Sequence, residues 1–352
     1  MSDPYEAYAA ALDRLPNGFP RTPSGVELRL LARLATPEEA SLASLLGREF
    51  EPFEDIAARA GMGPEDARKR LMLMTKRGIT WISKGGGRLR FRLAAFVYGL
   101  WEEQVDRLDH DVVHLFEAYM REGGAKGIMG ADPAIHRVLP GHAAVKTERI
   151  LPYEDVRALM DGAATFHVSD CICRKEQDVA GHRKCAFPIH NCMGFSSVAR
   201  KPVPGDVSRE EAIALLDEAE RLGLVHSVSN FKTGIFYVCN CCGCCCGILR
   251  GITEFGLEHS IAASSYRAVV DAGACTGCEA CVERCQVKAI AVRDGIAIVD
   301  RDRCIGCGLC VTGCAAEAVR LERLPDAAIV EPPEDFAAWE AARLAKRGRG
   351  GS

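Results

Sequence analysis

Apolar positions recur at helical and strand periods along most of the chain, and their punctuation divides it. Residues 1–25 are rich in Pro and Gly and are expected to be only partly ordered. Thr36-Pro37-Glu38-Glu39 reads as a helix start, with an N-cap hydroxyl, a proline at the first helical position and acids in the first turn. Residues 54–61 form a short helix closed by Gly61, and a further helix runs from Gly63-Pro64 to about Gly78. Ile79–Ile82 and Leu89–Leu93 alternate as strands, joined by Gly85-Gly86-Gly87 as a hairpin turn. Trp101, Val105, Leu108, Val112, Leu115 and Tyr119 mark one apolar helix face. Residues 127–150 read as loop, and a helix restarts at Leu151 and ends near Gly162. Ser208 caps an amphipathic helix to Leu222, followed by strands over 224–228 and 234–238.

This pattern predicts an α+β multidomain chain. Its parts are a partly ordered segment (1–25), a helical domain ending in a hairpin (26–100), a helical connector (101–160), a cysteine-rich middle domain (161–265), a second cysteine-rich domain (266–324) and a tail (325–352). The tail ends in a basic stretch, Lys346–Ser352, expected to be mobile. Three helices and a hairpin resemble a winged helix-turn-helix. That resemblance implies DNA binding, through Arg68, Lys69, Arg70, Arg88, Arg90 and Arg92, or protein docking. Residues 36–100 carry eleven Lys/Arg against eight Asp/Glu, a weak excess that favours docking over sequence-specific DNA binding.

Composition sharpens the picture at one residue type. The 352 residues include 18 cysteines, with 48% hydrophobic content and a net charge of −4. The start of the chain lacks a basic run followed by an apolar stretch. No signal peptide is therefore expected, and no run of 18 apolar residues suggests a membrane span. The cysteines are thus expected to bind metal in a reducing cytoplasm rather than to form disulfides.

Eight of them form a repeat. Cys275-x-x-Cys278-x-x-Cys281-x-x-x-Cys285 recurs 29 residues on as Cys304, Cys307, Cys310 and Cys314. Three thiolates of a tight loop can occupy three corners of a [4Fe–4S] cubane, and the fourth cysteine of each run serves the other cluster. One cluster is therefore assigned to Cys275, Cys278, Cys281 and Cys314, the other to Cys304, Cys307, Cys310 and Cys285. Zinc sites or disulfides fit this spacing poorly. The stretch 266–324 resembles the bacterial two-cluster ferredoxin domain, which implies two β-hairpin and helix halves about a pseudo-two-fold axis. That family usually has proline after the fourth cysteine of each run. Gln286 and Ala315 stand there instead, a difference that bears on loop rigidity rather than on ligation.

The other ten cysteines fall into two groups: Cys171, Cys173, Cys185 and Cys192, then Cys239, Cys241, Cys242, Cys244, Cys245 and Cys246. Six cysteines within eight residues cannot all bind one cubane. One or two additional iron–sulfur centres are expected, with zinc as the alternative. The least strained allocation puts the first four on one centre and several of the second group on another, and ligation mixed across the groups is equally open. Arg174 and Lys184 adjoin ligand candidates, where a buried cation would favour a reduced cluster. His110 and His114, four apart on a helix without an H-E-x-x-H motif, read as structural or solvated.

The S-D-C-I-C-R and C-N-C-C-G-C-C-C-G stretches, with the ferredoxin-like end, make residues 30–324 similar to 4Fe-4S binding proteins of anaerobic bacteria and archaea. The resemblance implies electron transfer in anaerobic metabolism with redox protein partners. No dinucleotide or phosphate-loop fingerprint points to an independent enzyme. Two alternatives remain open: a redox-sensing DNA-binding regulator, and an enzyme that uses an unusual cluster at residues 239–246.

Overall fold

Capping chemistry sets the helix starts. Thr36 and Ser208 each form a full capping box, with Glu39 and Glu211 respectively, opening the helices Pro37–Ser44 and Arg209–Leu222. The computed structural model describes residues 3–85, 87–145 and 150–347. Contacts divide the chain into two units. One comprises Met1–Ala131, Lys175–His182 and Glu340–Ser352, the other Asp132–Arg174 and Arg183–Trp339.

In the first unit the helices Phe53–Ala60 and Pro64–Lys76 precede the antiparallel strands Thr80–Gly85 and Arg88–Leu93, and Glu51–Pro52 adds a third strand beside Arg88–Leu93. Gly86, the middle of the expected hairpin turn, lies outside the described residues, as do residues 348–352 of the basic tail. Residues 3–25 depart from the expectation of partial order. Pro4–Asp13 is a helix, and Tyr8, Leu12, Leu15 and Phe19 are buried, with Phe19 packed on Phe96 at 4.6 Å. Those aromatic and apolar anchors outweigh the Pro and Gly content. Of the apolar face read over 101–119, Trp101, Val112 and Tyr119 are buried while Val105, Leu108 and Leu115 are half-buried, and the regular helix there is only His110–Tyr119. The phosphate-facing set read from the sequence needs correction at Arg92, which is buried and paired with Glu340, while Arg68 and Arg70 are tied to Glu65 and Asp66 on their own helix.

The second unit is built on a seven-stranded sheet. In spatial order its strands are Ile261–Ala262, His136–Leu139, Val225–Ser229, Tyr237–Cys241, His190–Ser196, Thr165–Asp170 and Asp206–Val207. Neighbours are antiparallel except the parallel pair Ile261–Ala262 with His136–Leu139. His136–Leu139 lies within the stretch read as loop. Four residues, all buried, are too short a run for periodicity to reveal. One core cluster holds Leu139, Phe166, Met193, Val228 and Val238 of the sheet with Ala212 and Leu216 of Arg209–Leu222. Side chains alternate across a strand, so Cys192, Cys239 and Cys241 fall on the opposite face from Met193 and Val238.

The rest of this unit is a pseudo-symmetric module. Tyr266–Val270 pairs antiparallel with Val319–Arg323, and Ile290–Arg293 with Ile296–Val299. Short helices at Ala280–Arg284 and Leu309–Thr312 follow the two cysteine loops. Left-handed backbone recurs at the 29-residue offset: Gly277 with Gly306, Glu279 with Gly308, Lys288 with Glu317.

Leu216 is 2% exposed in the core under the sheet, so Leu216→Ala should cost about 2–5 kcal/mol. Ser208→Ala, which removes a cap, should cost about 1 kcal/mol. Thermal unfolding of the two variants checks the order, and equal losses would contradict the assigned core.

Candidate metal centres

The duplicated loops create two cavities. Cys275, Cys278, Cys281 and Cys314 line one, and Cys285, Cys304, Cys307 and Cys310 line the other. Each therefore takes three cysteines from one run and the fourth from the other. Backbone amides point at the sulfurs in matching positions: Ala289 N–H donates to Cys285 Sγ at 3.1 Å, and Ala318 N–H to Cys314 Sγ at 3.3 Å. Ala297 N–H adds a bond to Cys275 Sγ at 3.4 Å. Soft thiols in fours, with amide donors aimed at sulfur, fit a [4Fe–4S] cluster and its charge. The two cavities differ in exposure. Cys278 is exposed, and the amide of Ala280 and the side chain of Thr276 lower its pKa. In the other set Cys304 and Cys310 are buried, and burial pushes the Cys307 thiol up to about 12.

The middle region sorts its ten cysteines in a way that departs from the least strained allocation. Cys185 leaves Cys171, Cys173 and Cys192 and joins Cys242, Cys244 and Cys245. These four sulfurs lie within 4.8 Å of one another, with Cys185 3.9 Å from Cys242 and 3.7 Å from Cys245, and Cys244 3.6 Å from Cys245. Such a tetrathiol pocket suits a soft metal or an iron–sulfur cluster. Of the remaining six thiols, Cys192, Cys239 and Cys241 share the sheet face described above, while Cys171 follows the strand Thr165–Asp170, Cys173 lies in the helix Ile172–Val179 and Cys246 caps the helix Gly247–Thr253. The reason is register: the strand expected over 234–238 instead runs Tyr237–Cys241. It thereby carries the start of the cysteine run into the sheet, and Cys239 stands directly opposite Cys192.

Arg174 lies between the two sets. It is fully buried, donates to Pro188 O at 3.0 Å and to Asn240 O, and lies over the Phe187 ring at 5.9 Å. Burial opposes its charge, but Cys171, Cys242 and Cys241 together hold its pKa above the usual range. The neighbouring Cys244 and Cys245 thiols and the Arg174 charge together hold Cys242 far below the usual thiol range, against its burial. Lys184, the other cation adjoining ligand candidates, is exposed. Asn240, on the face away from the thiols, is held by Asn191 at 2.7 Å and His226 at 2.7 Å. On the thiol face, Ser227 Oγ lies 3.5 Å from Cys241 Sγ and 3.3 Å from His136 Nδ1. The other nitrogen of His136 meets the half-buried Tyr237 hydroxyl. Burial lowers the His136 pKa to about 3, so the ring is neutral at ordinary pH and can pass a proton only by exchanging tautomers.

The residue in the usual proline position joins the module to the middle region. Gln286 Oε1 accepts from Gly243 N–H at 2.8 Å, and Gln286 Nε2 donates to Gly223 O at 2.8 Å. A Cβ at Gly243 would sit 1.8 Å from Gln286 O, so only glycine permits this approach. Arg284, on the other side of Cys285, donates to Glu220 O and Arg221 O, and Arg303 to Ile252 O. Nothing in the residue pattern around Gln286 marks it as a bridge to Gly243 and Gly223 except the absence of the proline. His110 and His114 are exposed, with their Nε2 atoms 3.0 Å apart.

Residues 267–315 match the 4Fe-4S dicluster domain family, and so this part of the chain is a ferredoxin-type domain. No curated protein and no solved structure matches the chain. Among the described residues, no helix is long and apolar enough to cross a membrane.

Arg174→Gln should lower the reduction potential of a metal centre bound in the middle region, because the buried cation that favours added negative charge is lost. It should also cost about 3–5 kcal/mol by leaving buried partners unpaired. Arg174→Lys should restore most of the potential but not the stability, since it keeps the charge without the fork to Pro188 and Asn240. Redox titration and thermal unfolding of both variants separate the two effects.

Proposed function

We propose that the protein carries single electrons of anaerobic metabolism between a redox protein partner and the cysteine-rich middle region, in the reducing cytoplasm. The bridge from Cys285 through Gln286 to Gly243, between Cys242 and Cys244, carries this reading, because it joins a ferredoxin-type site to the tetrathiol pocket by one hydrogen bond. A [4Fe–4S] cluster in each ferredoxin site would supply a one-electron couple. Cys275, Cys278, Cys281 and Cys314 would hold the outer one, where Cys278 is exposed and Ile296 and Ile298 present apolar surface to a partner. Cys285, Cys304, Cys307 and Cys310 would hold the inner one, shielded from water. Cys185, Cys242, Cys244 and Cys245 would hold a further centre.

The helices and hairpin of the first unit support a winged-helix-like module. Buried or ion-paired Arg68, Arg70 and Arg92 support protein docking over sequence-specific DNA contact. A second reading, reduction of a small substrate in the middle region, is favoured by the line Cys241–Ser227–His136–Tyr237. That line gives a proton a path to buried thiols.

The test is anaerobic purification with iron, sulfide and zinc analysis. The ferredoxin sites alone should account for about eight irons per chain, with interacting spins on reduction. Stoichiometric zinc with little iron would refute the reading. Gln286→Ala should leave the ferredoxin signals intact and slow reduction of the middle centre several-fold in stopped-flow mixing with a low-potential reductant. Unchanged kinetics would remove Gln286 from the path.

A further inference from the structure

The sulfur spacing in the tetrathiol pocket limits how many metal ions it can hold. Cys185 Sγ lies 3.9 Å from Cys242 Sγ and 3.7 Å from Cys245 Sγ, and Cys244 Sγ lies 3.6 Å from Cys245 Sγ. All four sulfurs fall within 4.8 Å of one another. A tetrahedral ion bound by four thiolates at about 2.3 Å sets its sulfurs about 3.8 Å apart. The three edges lie within about 0.2 Å of that length. A cluster spreads its ligands further. In a cubane each thiolate sits on its own iron and points outward, so the sulfur–sulfur edge is that same length of about 3.8 Å plus a full iron–iron separation. The limit of 4.8 Å leaves about 1 Å for that separation, less than half a metal–thiolate bond. The ferredoxin-type sites show the contrast. Among the described residues, no three of their eight sulfurs come this close to one another, and each set lines a cavity instead.

We infer that Cys185, Cys242, Cys244 and Cys245 together bind a single thiophilic metal ion, zinc or iron, in tetrahedral coordination, and not an iron–sulfur cluster. Four protein sulfurs close the coordination shell and leave no open position for a substrate. The surroundings suit a closed site. Cys242 and Cys245 are buried with Ala219 and Leu224, and Cys185, Cys244 and Phe187 pack against that apolar cluster. The ion would also fasten two distant parts of the chain, since Cys185 and Cys242 are 57 residues apart, so its binding adds to the stability of the fold. The single-ion geometry stands on the sulfur spacing. Only iron in the site, as opposed to zinc, rests on the proposed function, because iron can take up one electron and zinc has no redox chemistry.

The experiment uses the full-length protein purified without oxygen. Iron, zinc and acid-labile sulfide are counted in the wild type and in the double variant Cys185→Ser with Cys244→Ser, and wild-type crystals are measured at the iron and zinc absorption edges. The double variant should lose about one metal ion per chain and no sulfide, with the ferredoxin spin signals unchanged. The crystals should show one anomalous peak about 2.3 Å from each of the four sulfurs. A loss of about four irons with as many sulfides, a peak that resolves into several metal positions, or an empty pocket would each overturn the inference. The crystal measurement decides the matter even if the variant fails to fold. Zinc in the peak would support the single-ion site and take this pocket off the electron route. Loss of the ferredoxin signals from the wild-type protein would instead count against the proposed function, so the two failures are distinguishable.

Discussion

Ten soft, ionisable sulfurs gathered around the strand Tyr237–Cys241 and the turn after it set the constraint on which the second unit depends. Thiols this close are tolerable protonated or metal-bound, but not as bare thiolates, because buried like charges repel strongly. The structure meets that constraint by separation. The strand Tyr237–Cys241 sends Cys239 and Cys241 to the face opposite the hydrophobic core, and the turn after it sends Cys242, Cys244 and Cys245 towards Cys185. Arg174 fills the boundary, and its bonds to Pro188 O and Asn240 O fix the two walls between which it lies.

That separation depends on the sheet's other face. Met193, Phe195, Val228 and Val238 pack against Ala212 and Leu216, so a slip of one residue in the pairing of His190–Ser196 with Tyr237–Cys241 would exchange the core with the cysteines. The apolar core therefore holds the register, and the register holds the thiols. Asn240 strengthens the same alignment, since its amide reaches Asn191 across the strand pair while His226 meets it from the neighbouring strand.

The ferredoxin-type domain is joined to this assembly at one place in particular. Arg284, Cys285 and Gln286 are consecutive, and the two flanking side chains bind the carbonyls of Glu220, Arg221 and Gly223 and the amide of Gly243. A proline after the fourth cysteine would stiffen the loop but offer no such bonds. In this chain the same position serves attachment, and Gly243 lacks the side chain that would prevent it.

The eight ferredoxin cysteines and their division into two sets were legible from the residues alone, because a short loop repeated at a fixed offset leaves little geometric freedom. The helix starts at Thr36 and Ser208 were legible for the same local reason, a side-chain cap within three residues. The partners of Cys185 were not, since it meets Cys242 and Cys245 across 57 and 60 residues of chain, and spacing carries no information at that range. His136–Leu139 escaped because four buried residues have no readable period, and the helix Pro4–Asp13 because its order comes from the packing of Tyr8 and Leu12 rather than from local propensity. The sequence by itself determined that eighteen cysteines were present and that eight of them repeat in two runs at a 29-residue offset. Only the tertiary structure decided how the other ten divide, because strand register, not distance along the chain, sets which sulfurs share a face.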